Sequence, residues 1–214
     1  QQFPRLARWA PLQRTGHWAD ADMLPLGHIG LRAERGDDRQ SRLTLDEQKT
    51  LLTLWCMGRS PLMVGGDLPT SDDDTIALLT NPALREVTAA PPTTVRLCAN
   101  GCFPNGTSKT AISATSSYGP PTRSNGPTAR LAHIRAAIME RSSGPATNPM
   151  SSKATSNCKA SSASRRNRDW TLADLWADAP GTPSDIRIEG EGEDRVIRGT
   201  IPAHGALWFA IRPL

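Results

Sequence analysis

Two carboxylates, Asp20 and Asp22, stand two residues apart in the stretch Gly16 to Gly27, beside the indole of Trp18. An ionised carboxylate accepts hydrogen bonds from hydroxyls with charge-assisted strength, which is the chemistry a carbohydrate pocket needs. In a strand from His17 to Leu24, the two acids would share one face. Pro25 and Gly27 close that segment, as expected of a short strand that delivers side chains into a site. A catalytic pair made of these two is disfavoured, because carboxylates that cleave a glycosidic bond must flank it, whereas these project side by side. A metal site from His17, Asp20, Asp22 and His28 is also disfavoured, since strand alternation points His17 away from both acids. No cofactor and no metal are expected.

The elements around this stretch alternate between helix and strand. Phe3, Leu6 and Trp9 recur at helical spacing, so a short helix precedes the strand. Thr44-Leu-Asp-Glu47 has the form of a capping box, and the helix it opens places Leu51, Leu54, Trp55 and Gly58 on one stripe, with Gly58 as terminator beside Arg59. Pro61 to Val64 reads as a second short strand, ending at Gly65-Gly66-Asp67. Ser71-Asp-Asp-Asp74 opens a further helix through Leu79, its acids placed where a helix N-terminus favours them. Such alternation implies a parallel sheet, and carboxylates at the C-terminal end of a strand suit a (β/α)8 barrel.

Trp18-Ala-Asp20-Ala-Asp22-Met23-Leu24, Leu43-Thr44-x-Asp-Glu-Gln48, Leu54-Trp55, Ser60-Pro61-Leu62 and Gly66-Asp67-Leu68, in this order, resemble the final strands of the α-galactosidases of glycoside hydrolase family 27. The resemblance covers about Phe3 to Ala90. It implies a retaining hydrolase that removes terminal α-linked galactose, or a relative acting on a similar sugar, with one carboxylate as nucleophile and another as acid/base. In that family the nucleophile sits in a Lys-x-Asp segment and the acid/base in an Arg-x-x-x-Asp segment, both before the Trp18 block. Both are therefore expected upstream of Gln1, and no catalytic residue is assigned within the chain. Asp22 and Met23 match positions that line the sugar pocket. Asp20 and Trp18 complete the substrate-binding set, Trp18 as a packing residue beside the pocket rather than a stacking platform.

Charge and composition divide the 214 residues into three parts. Between Ala89 and Arg168 lie eleven Lys and Arg and one acid, Glu140, whereas the rest of the chain holds fourteen basic and twenty acidic residues. All six Trp also lie outside the basic middle. Residues 91–168 are rich in Ser, Thr, Pro, Gly and Asn, so as written they bury too little apolar surface to offset their ordering entropy. A basic tail attracts phosphates, but without interleaved aromatic residues a nucleic-acid partner is not expected. A frameshift accounts for this composition better than a linker does. Read from each codon's third base, Thr115 to Gly119 permits Asp-Leu-Val-Val-Trp, and Ala136 to Gly144 permits Arg-His-Tyr-Gly-Ala-Val-Phe-Trp. Cys98, Cys102 and the sequon Asn105-Gly-Thr107 are then accidents of the shift.

From Asp169 the pattern is again that of a folded protein. Trp170 to Trp176, Asp185 to Ile188, Arg195 to Arg198 and Ala206 to Ile211 alternate between turn signals at Pro180-Gly181 and Gly190 to Gly192, which predicts antiparallel strands of a β-sandwich. Pro202-Ala-His-Gly205 before the last strand resembles the C-terminal domain of the same glycosidases, and His204 is expected to be structural, since nothing near it in sequence would orient it. The expected organisation is residues 1–90 as the last strands and helices of a TIM-barrel catalytic domain, 91–168 as a low-complexity basic segment, frameshifted or disordered, and 169–214 as the remnant of an all-β domain. No apolar run reaches the length of a membrane helix, and the opening Gln1 suggests that the true N-terminus is missing. The expected partner is an α-galactoside or a related carbohydrate.

Overall fold

The computed structural model describes residues 2–9, 12–14, 16–33, 36–89, 116–117, 133–138, 170–181, 185–190, 196–199, 201–202 and 204–213. Helix α1 (Gln2–Trp9) leads into an extended stretch, followed by the two-residue strands β1 (His28–Ile29) and β2 (Arg39–Gln40), which pair antiparallel. Helices α2 (Leu45–Met57), α3 (Asp73–Leu79) and α4 (Pro82–Ala89) follow. The β part comprises β3 (Ser116–Ser117), β4 (His133–Ile138), β5 (Trp170–Asp174), β6 (Arg187–Glu189), β7 (Val196–Arg198) and β8 (Ala206–Pro213).

Helix α2 starts as its sequence predicts. The Thr44 side chain accepts from the Glu47 amide while the Glu47 carboxylate accepts from the Thr44 amide, satisfying two donors that the first turn leaves open. The helix also ends at Gly58 as expected, which is its C-cap, but not through a left-handed glycine. Gly58 is right-handed at φ −76°, and the left-handed residue is Arg59 at φ 55°. Glycine at 58 serves close packing instead, since a Cβ there would lie 3.0 Å from Leu6 Cδ1 and 3.0 Å from the Leu54 carbonyl oxygen. The expected single apolar stripe is also too narrow: every residue from Leu52 to Met57 is buried. A helix covered all round must have partners on several sides, and α2 packs against α4 and β8.

In α3, Asp72 rather than Ser71 is the N-cap, accepting from the Thr75 amide at 2.8 Å and the Thr75 hydroxyl at 2.9 Å. Ser71 is occupied otherwise, its hydroxyl donating to the Asp67 carbonyl at 2.7 Å.

Neither expected barrel strand is a strand along its length. Parallel pairing between the two stretches is confined to one bridge, Leu24 with Val64, in which the Leu24 amide donates to Met63 O at 2.7 Å and the Gly65 amide to Leu24 O at 2.8 Å. Glycine is required close by, because a Cβ on Gly66 would collide with the Leu26 carbonyl. Of the expected barrel, the described residues hold this one parallel contact and the helices around it.

Four strands form one antiparallel sheet in the order β3-β4-β8-β5, and β6 pairs with β7 in a separate ribbon. Two of the four come from the segment expected to be low-complexity, and β4 pairs with β8 along its full length, from His133 opposite Ile211 to Ile138 opposite Ala206. The remaining residues of 91–168, with Cys98, Cys102 and the Asn105 sequon, lie outside the described residues. Strand β8 is buried on both faces. Leu207, Phe209 and Ile211 pack with Ile197 and Ile201 on one side, while Trp208 and Ala210 enter the core around α2 on the other. Trp208 and Trp176 lie 5.2 Å apart between ring centroids, tilted by 47°. Their indole donors reach α2, Trp176 Nε1 to Thr53 Oγ1 at 2.9 Å and Trp208 Nε1 to Met57 Sδ at 3.2 Å.

Candidate functional site

The stretch from Trp18 to Met23 is a loop, which corrects the expectation of a strand presenting Asp20 and Asp22 on one face. The acids themselves account for the difference. Asp20 Oδ1 accepts from the Asp22 amide at 2.9 Å, and Asp22 Oδ1 accepts from the Met23 amide at 2.7 Å. Short acidic side chains that bond the backbone one or two residues on compete with strand pairing and tolerate the left-handed conformation, and Asp22 has φ 83°.

The loop is held from beneath by the C-terminal end of α2 and the residues after it. Trp55 Nε1 donates to the Asp22 carbonyl at 2.9 Å, and the Ala21 amide donates to Ser60 Oγ at 2.9 Å. The Arg59 guanidinium lies 5.0 Å from the centroid of the Trp18 ring. Ala21 and Leu24 are buried as anchors, whereas Asp20 and Asp22 are exposed, Met23 is 59% exposed and Trp18 40%. All four predicted binding residues thus lie in one loop and face solvent. A cleft of about 430 Å³ opens beside Trp18, lined by Trp9, Leu12, Gln13, Arg14, His17 and Ala19, and Asp20, Asp22 and Met23 are not among its walls.

The neighbouring residues separate from this loop in role. His17 pairs with Arg14 through backbone hydrogen bonds. The His28 ring bonds Thr70 Oγ1 at 2.6 Å and also Asp38. Among the described residues, no three His, Cys, Asp or Glu side chains converge as metal ligands would.

Sequence reasoning missed the partner of His204. Its Nδ1 lies 2.7 Å from Glu47 Oε1, and Thr50 Oγ1 donates to its carbonyl at 2.6 Å. The partner is 157 positions away, so local sequence could not reveal it. The hydrogen bond from His204, with that from the Thr44 amide, holds the Glu47 carboxyl below the usual carboxylate range. Asp72 is lowered likewise, chiefly by the Thr75 amide. Burial pushes the Cys56 thiol far above its usual range, against the opposing charge of Arg59, so it stays protonated and inert.

No protein-family profile matches the chain. Over 74 residues, 35% of this chain, it is 34% identical to α-galactosidase 2 of Arabidopsis thaliana, and over 81 residues, 38% of this chain, 32% identical to α-N-acetylgalactosaminidase of Rattus norvegicus. Its structure is similar to that of a β-L-arabinopyranosidase of glycoside hydrolase family 27 from Geobacillus stearothermophilus, solved in complex with arabinose, with 26% identity and a TM-score of 0.60 over the whole of this chain. The chain resembles the α-galactosidases of glycoside hydrolase family 27. The matched stretches span 16% and 17% of the two curated relatives, and the chain covers 41% of the Geobacillus protein. Family 27 enzymes join a TIM barrel to a β domain, and this chain carries helices with a parallel strand contact ahead of an antiparallel sheet.

Proposed function

We propose that this chain carries the sugar-holding side of a retaining α-galactosidase, with the carboxylates that cleave the bond supplied by segments that precede the Trp18 block in the family. One observation carries the reading: the loop bearing Asp22 and Met23 stands exposed on a buried footing made by Trp55 and Ser60. A preorganised carboxylate at a loop tip accepts sugar hydroxyls without reordering its own backbone. Asp20 and Asp22 do not supply the cleaving pair, since two acids in one loop, each bonded to a neighbouring amide, cannot flank a glycosidic bond. The chain alone therefore binds and does not cleave. Calorimetry with methyl α-galactoside tests the binding, which Asp22→Ala is expected to abolish. An aryl α-galactoside assay tests the absence of cleavage, and turnover that depends on Asp22 would overturn the assignment.

The same reading takes residues 1–90 as the end of the barrel, 169–214 as the remnant of the β domain, and 91–168 as translated out of frame. The gene sequence decides the matter, because a reading frame continuous with its relatives across Ala89 to Arg168 removes the frameshift.

A further inference from the structure

Arg59 occupies the left-handed position after α2, where glycine is the usual residue, and is 5% exposed. A residue with a Cβ placed there against steric preference points to a task for its side chain. The guanidinium Nη1 donates to Val87 O at 3.3 Å and Nη2 to Thr88 O at 3.1 Å, at the end of α4. The same group sits over the Trp18 ring at 5.0 Å. Carbonyls at a helix C-terminus favour a cation, and so does an indole face. A guanidinium can serve both at once, because its donors lie in its plane and its flat face stacks. A lysine ammonium lacks that shape.

We propose that Arg59 is the positioning residue of the Trp18 to Met23 loop: it ties the Trp18 end of the loop to α4, as Trp55 ties the Asp22 end to α2. It touches no ligand and acts through Trp18. Its consequence for sugar affinity rests on the reading of this loop as the galactoside-binding surface, whereas its hold on the loop does not.

The test uses the full chain with Arg59→Met, Arg59→Lys, Trp18→Leu and the double variant Arg59→Met/Trp18→Leu. Amide hydrogen exchange is read at Ala21, Asp22 and Met23, and separately at Val87 and Thr88, alongside galactose affinity by calorimetry. Arg59→Met and Trp18→Leu are each expected to speed exchange in the loop and to weaken galactose binding roughly five-fold. The double variant should add nothing to either single change, and Arg59→Lys should restore only part of the loss. Trp18 is half-exposed, so Trp18→Leu with Arg59→Lys still reads the coupling if Arg59→Met fails to fold. Faster exchange at Val87 and Thr88 with loop amides unchanged would overturn the proposal, as would additive effects in the double variant. If the unsubstituted chain binds no galactose but the loop amides show the coupling, the galactoside reading fails and the positioning role stands.

Discussion

Asp22 shapes its own backbone, and in the proposed reading it also meets the sugar. Its left-handed conformation and its bond to the Met23 amide shape the loop tip, and the second carboxylate oxygen is the acceptor that the proposed function offers to sugar hydroxyls. The carbonyl of the same residue is fixed by Trp55. Trp55→Phe removes this donor while keeping an aromatic ring, so it should cost about 1 kcal/mol of loop order. Galactose affinity should fall roughly five-fold. Calorimetry and thermal unfolding measured together separate the two effects, because a change in melting temperature without a change in affinity would detach Trp55 from the site.

Elements are joined here by groups that do two jobs. Glu47 closes the capping box of α2 with one oxygen and meets His204 with the other, so the start of a helix is tied to the approach to β8. Because its carboxyl is held below the usual range in the folded state, the stability it adds is present above the unfolded pKa. That stability is lost as pH falls through the lower folded value. Asp72 acts in the same sense. Urea midpoints for the unsubstituted chain should therefore drop between about pH 5 and pH 3, and Glu47→Gln should flatten part of that slope. Loss of the α3 cap in Asp72→Ala should cost about 1 kcal/mol at neutral pH, read as a shift in the same midpoint. A slope unchanged in Glu47→Gln would show that the His204 contact does not persist in solution.

The molecule is held as a whole by α2 and β8. The helix presents Trp55 to the loop, Thr53 to Trp176 and Met57 to Trp208, while β8 carries one core on each face. Trp208→Ala would leave a large void in a fully buried position and should cost about 3–5 kcal/mol. Against a typical total of about 5–15 kcal/mol, that is enough to melt the helical and β parts together. Far-UV circular dichroism and tryptophan fluorescence should accordingly report one coincident urea transition for the unsubstituted chain. Two separated transitions would mean that β8 does not couple the two cores.

The capping box at Thr44 to Glu47, the helix through Leu79 and the four C-terminal strand stretches were legible in the chain itself, because caps, periodicity and turn residues act within a few positions. So was the grouping of Trp18, Asp20, Asp22 and Met23. The conformation of that group was not, since alternation predicts a strand only where a neighbour supplies the ladder, and here the aspartates bond their own backbone. The left-handed Arg59, the Glu47 partner of His204 and the two-sided burial of β8 were hidden for one shared reason. Each depends on side chains far apart in the chain meeting in space. Local sequence determined where the helices and the C-terminal strands form, and tertiary packing alone decided how the loop from Trp18 to Met23 is held.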